Sequence, residues 1–165
     1  LMGCLWDTMH TTAMLFMIIA AAGVFSHAIT LIRLPNALIE AVTQMGLGQT
    51  GFLFAVMVAI FVLGMFLETI AIILITTPII LPTLIALDVN LVWYGILLII
   101  NLELALITPP VGMNLFVIKG ISGARLSEII RGAAPYVVLL IGALFVFWLF
   151  PALSLWLPQA AGFGV

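Results

Sequence analysis

Long apolar runs broken by short polar punctuation set the outline of this chain. Ala13–Ile32 is a continuous apolar run closed by Arg33 and Pro35. It is long enough to cross a bilayer, which takes about 20 residues, so a span over 11–33 is predicted. In the next stretch Leu38, Ile39, Val42 and Met45 recur at helical spacing among Asn36, Glu40, Thr43 and Gln44. That pattern predicts an amphipathic interfacial helix over 36–50. Gly46, Gly48 and Gly51 then form a flexible connection.

The run 52–87 is nearly continuous, interrupted mainly by Gly64, Glu68 and Thr69. At about 36 residues it is too long for one crossing and too short for two full crossings with a loop. A re-entrant hairpin with its tip near Gly64–Thr69 fits, and two tightly turned, tilted spans are the alternative. Pro78 and Pro82 are expected to bend or end the second limb. Asp88-Val89-Asn90 offers a turn and an N-cap. Residues 91–118 then read as one helix broken at Thr108–Gly112, with Trp93 and Tyr94 as interfacial anchors. A polar stretch, Lys119–Arg131, precedes a last span over 135–157, which Pro158 is expected to stop.

Composition changes this outline into a class. The chain is 66% hydrophobic and 6% charged, against about 25% charged residues in soluble domains. The fold class is therefore all-α, a polytopic integral membrane protein. A net charge of −2 gives no reason to expect nucleic acid as a partner. The single Cys4 excludes an internal disulfide or a multi-thiolate metal site and is expected to be a small packing residue. The chain starts at Leu1 with no basic region ahead of its first apolar run. This suggests the C-terminal portion of a longer protein, although Met2 offers an alternative start. Lys119, Arg125 and Arg131 oppose Arg33, which puts the three-residue cluster in the cytoplasm and the hairpin's open end outside.

The break carries the main candidate chemistry. Pro109 and Pro110 have no N–H to give the carbonyls of Ala105 and Leu106, and an orphaned carbonyl in hydrocarbon costs several kcal/mol, of order 2–7. Those oxygens, with the Thr108 hydroxyl, are hard ligands suited to Na⁺. The helix that begins after the break points its N–H groups and positive dipole end at the same place, which suits a carboxylate. Gly112 allows close approach, and Asn114 both donates and accepts. The competing reading is a proline kink whose carbonyls are met by neighbouring helices. At the hairpin tip, Gly64, Glu68 and Thr69 are candidate ion or substrate contacts, because intramembrane acids are functional by default. A tip facing a watery vestibule is the plainer reading of Glu68. Glu103 and Asn101 either shape the field near the break or lie at a helix surface. Ser26-His27 lacks the glycines of a hydrolase elbow and reads as helix packing. His10 reads as interfacial. No HExxH, paired-cysteine or phosphate-loop pattern occurs, so no catalytic residue and no enzyme is expected.

Gly64-Met65-Phe66-Leu67-Glu68, Thr77-Pro78-Ile79-Ile80-Leu81-Pro82, Asn101-Leu102-Glu103, Thr108-Pro109-Pro110-Val111-Gly112 and Asn114-Leu115-Phe116-Val117 occur in this order. The series resembles the C-terminal half of the large membrane subunit of tripartite ATP-independent periplasmic (TRAP) transporters. Ala21-Ala22-Gly23-Val24-Phe25-Ser26 and the Arg131–Pro135 approach extend the likeness over most of the chain. The resemblance implies a Na⁺-coupled importer of organic acids that works by an elevator movement in the bacterial inner membrane. It also implies a periplasmic substrate-binding protein, a small membrane subunit and an N-terminal half as partners. No cofactor beyond the coupling ion is implied. Gly64, Thr108, Pro109 and Gly112 fall where the family's second sodium and substrate region lies. Gly64, Thr108 and Gly112 are the implied Na⁺ contacts. Ala105 stands where glycine is frequent in that family, and Leu87 where glycine usually precedes the turn at Asp88. A sodium–dicarboxylate carrier without a binding protein, a channel, and a structural membrane subunit are the other readings.

Overall fold

The computed structural model describes residues 2–46 and 48–162; Leu1, Leu47, residues 163–165 and the side chains of Thr30, Pro35 and Thr43 lie outside what is described. The described residues form eight helices and no strand. Three are long and apolar enough to cross a membrane, within Met2–Ile29, Thr69–Ala86 and Leu126–Leu149. The chain is thus an all-α, polytopic membrane protein.

Helix α1 runs Met2–Leu31 and so begins well before residue 11. The Thr8 and Thr11 hydroxyls donate back to the carbonyls of Cys4 (2.7 Å) and Asp7 (2.9 Å), so these polar residues ride on the helix rather than preceding it. Cys4 is exposed in this chain and not packed as expected. Arg33, at φ 56°, takes the left-handed conformation that ends the run. Helix α2, Leu34–Gln44, stops short of residue 50 because Gly46, at φ 64°, turns the chain out of the helix. Gln49 and Thr50 belong instead to α3, Gln49–Gly64.

A turn over 65–68 joins α3 to α4, Thr69–Ala86. Pro78 and Pro82 lie inside α4 and do not end it. Four residues apart, their missing donors fall on one face of the helix, and packed neighbours let apolar helices tolerate such losses. The two limbs lean on different partners, α3 on α5 and α4 on α1 and α2. At the hairpin's open end the Gln49 side-chain amide donates to the Asp88 carbonyl at 3.2 Å.

Asn90 starts α5, Leu91–Leu106, its side-chain oxygen accepting from the N–H groups of Val92 (3.0 Å) and Trp93 (3.1 Å). Asn90→Ala is expected to cost about 1 kcal/mol, read as a lower midpoint in denaturant titration of the detergent-solubilised protein. Trp93 and Tyr94 both pack against other parts of the chain. The Trp93 indole donates to the Phe147 carbonyl at 2.8 Å and packs beside Trp148, and Tyr94 is 6% exposed. Their positions at the start of α5 face α7 and the apolar core, so packing decides their place.

After the break, α6 spans Met113–Ser122. Helix α7 is Leu126–Leu149, earlier at both ends than the expected 135–157. The Glu128 carboxylate accepts from the Arg125 N–H at 3.2 Å and starts α7 inside the polar stretch. At the other end Pro151 has no N–H to extend it. A short α8, Ala152–Ala160, follows, with Pro158 inside it rather than after it.

Parallel α3 and α5 share the core through Leu53, Ile60, Leu97 and Leu102, with Leu84 of α4. The Asn101 amide, on a residue 2% exposed, donates to the Met57 carbonyl at 2.8 Å and ties α5 to α3 at mid-height. Helix α7 packs along both α5 and α6. Its 24 residues reach about 36 Å, whereas the 16 of α3 and of α5 reach about 24 Å. Asn101 and Leu104 near the end of α5 share a cleft with Ile141 and Leu144 of α7, and Trp93 at the start of α5 bonds to Phe147, so α5 ends part-way along α7.

Candidate functional site

The site is built where the ends of α3 and α5 meet. Gly64, the last residue of α3, is buried against Ala105: a Cβ on Gly64 would lie 2.7 Å from the Ala105 Cβ, with Leu102 and Ile72 also close. The tip and the break, 41 residues apart in sequence (105 − 64), are thus in contact.

The break itself spans Ile107–Gly112, and its Pro109–Pro110 bond is cis. Not every carbonyl that the prolines deprive is left bare. The Thr108 N–H donates to the Ala105 carbonyl at 3.2 Å, so Ala105 is not an orphan as expected. The Thr108 hydroxyl donates to the Leu104 carbonyl at 2.5 Å, which commits its proton and leaves its oxygen lone pairs as acceptors. The Leu106 and Thr108 carbonyls receive no hydrogen bond among the described residues. Both converge on Gly112. A Cβ there would stand 2.9 Å from the Thr108 oxygen, 3.2 Å from the Leu106 oxygen and 2.9 Å from Leu115 Cδ1. Gly112, at φ 56°, also holds a conformation that side chains disfavour. Glycine at 112 thus leaves open a small space flanked by two unpaired oxygens. Helix α6 starts immediately after it, with its N-terminal end at the break.

The remaining predicted residues are less closely involved. The Glu68 carboxylate accepts from the Ala71 N–H at 3.1 Å and caps α4 on an exposed residue, which gives it a structural task. Thr69, next to it, has a hydroxyl oxygen buried without a partner among the described residues. Pro109, Asn114 and Glu103 are exposed in this chain. Asn101 is a strut between helices rather than a surface residue. Leu115, which closes the floor under Gly112, was not legible beforehand, since its spacing of three from Gly112 is its only signal. A separate cleft of about 340 Å³ lies between α3, α5 and α7, lined by Met57, Phe61, Asn101, Leu144 and Trp148 among others. It is apolar and none of the break residues lines it.

Residues 1–153 match the family described as the DctM component of tripartite ATP-independent periplasmic transporters. The chain belongs to this family. A C4-dicarboxylate TRAP transporter large permease protein from Pseudomonas aeruginosa is 40% identical over 92% of this chain and 35% of its own length. An ectoine TRAP transporter large permease protein from Halomonas elongata is 34% identical over 91% of this chain and 35% of its own. An isethionate TRAP transporter permease protein from Oleidesulfovibrio alaskensis is 29% identical over 92% and 24%. The chain thus spans about a third or less of the length of these DctM relatives. They are named as permeases, not enzymes, and for three different cargoes.

Proposed function

We propose that this chain is the part of a TRAP large permease that holds one sodium-and-substrate region of a Na⁺-coupled importer of organic acids. The observation that carries the reading is the pair of unpaired carbonyl oxygens, Leu106 and Thr108, meeting at Gly112, one and three residues past the Ala105 on which the hairpin tip packs. Carbonyl and hydroxyl oxygens without competing donors suit a hard cation, and the N-terminal end of α6 suits a carboxylate beside it. A cation there offsets the charge of the acid, which is the physical basis of coupling. Gly64, Thr108 and Gly112 line the proposed ion position. Ala105, Pro109 and Asn114 shape or flank it, with Thr69 and Glu68 at the tip.

The hairpin reads as re-entrant, since its tip packs on the end of α5, beside the middle of α7, whose N-terminal turns continue further. With α3 fixed to α5 by the Asn101–Met57 bond and the Gly64–Ala105 contact, the site moves as a block, which suits an elevator better than a flap. The N-terminal half of the large subunit, a small membrane subunit and a periplasmic binding protein complete the machine. A multi-pass position in the bacterial inner membrane goes with it.

The test is uptake of labelled succinate by the whole permease, with its small subunit and binding protein, in sodium and in choline medium. Uptake is expected only in sodium. Thr108→Ala is expected to raise the half-saturating sodium concentration about tenfold, the loss of one hydroxyl contact at about 1.4 kcal/mol, while Thr108→Ser stays near wild type. Uptake indifferent to sodium, or unchanged in Thr108→Ala, removes the proposed ion position.

A further inference from the structure

Gly64 and Ala105 meet so closely that only one of the two positions has room for a methyl group. A Cβ on Gly64 would approach the Ala105 methyl to 2.7 Å, while Leu102 Cδ2 at 3.7 Å and Ile72 Cδ1 at 3.8 Å close the sides. Ala105 is 0% exposed, so its methyl has nowhere to retreat. Seven other described glycines in helices or loops, Gly3, Gly23, Gly48, Gly95, Gly120, Gly132 and Gly142, have open space where a Cβ would go and ordinary backbone angles. Gly64 differs from them in kind.

The contact also sits at a sensitive place. Gly64 ends α3 and Ala105 lies three residues before Thr108, whose N–H is bonded to the Ala105 carbonyl. Any displacement of Ala105 is passed straight to the Thr108 backbone. On the other side of the turn, Ile72 touches the Gly64 position one helical turn after Thr69, whose hydroxyl oxygen is buried without a partner.

We propose that Gly64 and Ala105 are a pair of positioning residues, a one-methyl spacer that sets the distance between the hairpin tip and the broken helix. The spacing role does not depend on any contact that the Gly64 backbone makes to the ion. The pair holds Thr69 on one side and Thr108 on the other at a fixed separation. The methyl group can be moved from one helix to the other, but two methyl groups force the tip away. Overpacking of this kind in a rigid contact is worth about a tenfold change in how often the tip stands open. The effect on ion binding rests on the sodium reading above, but the spacer itself does not.

The spacer is tested by thiol labelling in the whole permease with its small subunit, in a background with Cys4→Ser and any other cysteine removed. Thr69→Cys places a thiol where the native hydroxyl oxygen is buried. Its labelling by a small maleimide is expected to be slow with Gly64, about tenfold faster with Gly64→Ala, and slow again in Gly64→Ala combined with Ala105→Gly. Equal rates in the three backgrounds, or no recovery in the double variant, overturn the spacer. The positioning role is read separately, without the thiol, as the rise in melting temperature that sodium produces over choline. That rise is expected to vanish in Gly64→Ala and return in the double variant. A rise that persists in Gly64→Ala overturns the positioning role. Absence of the rise in the wild-type protein counts against the sodium reading, and the labelling pattern still judges the spacer.

Discussion

Gly112→Val abolishes uptake, with the loss expected to be roughly hundredfold or more when rates are normalised to inserted permease. Two costs add at this position. The residue holds φ 56°, a left-handed conformation that costs an L side chain about 1–2 kcal/mol. The new Cβ also runs into Leu115 and the Thr108 carbonyl oxygen, each 2.9 Å away, and such overpacking costs about 1–3 kcal/mol. Together these come to about 3 kcal/mol, close to two powers of ten. Gly123 supplies the control. It has a similar φ of 67° but open space around it, so Gly123→Ala carries the backbone cost alone and leaves uptake within about tenfold of wild type. Equal losses at the two positions would show that backbone strain, not the space beside the two carbonyls, is what uptake depends on.

The second large effect is at Asn101. Its amide donates to a backbone carbonyl of α3 from a site that is 2% exposed. In Asn101→Asp the donor becomes an acceptor and a carboxylate faces the Met57 oxygen in an apolar setting, at about 3 kcal/mol. Melting temperatures of the wild-type and variant permease measure this, and the variant is expected to melt lower. A variant that melts with wild type would mean that Asn101 works by shape and not by its hydrogen bond.

The class of the fold was legible because water and hydrocarbon sort side chains so strongly: the apolar runs and their polar punctuation mark out most of the helices. The interruption at Thr108–Gly112 was legible for a simpler reason, since proline has no N–H to donate. Helix ends were read less well. Helix α1 carries Thr8 and Thr11 with their hydroxyls bonded to its own carbonyls, and α7 starts where Glu128 reaches back to Arg125. Such bonds leave little trace in hydropathy. Glu68 is conspicuous as an acid in an apolar run, whereas its capping bond to Ala71 has no obvious signature, since glutamate is an uncommon cap. Tyr94 and Asn101 turned inward because of neighbours remote in sequence. The Gly64–Ala105 contact is of the same kind, a meeting of two helix ends that no local spacing encodes.

The division of labour between the hairpin limbs has a consequence for biogenesis. Helix α3 rests on α5 rather than chiefly on the limb that follows it, so its permanent companion leaves the ribosome only after α4 is complete. At about 24 Å it is also shorter than the roughly 30 Å hydrocarbon thickness. The nascent hairpin must then wait in the insertion machinery, or beside it, until the later helix arrives to dock. Chains long enough for α4, but not α5, to have left the ribosome are thus the stage at which quality-control proteases would find this polypeptide most vulnerable.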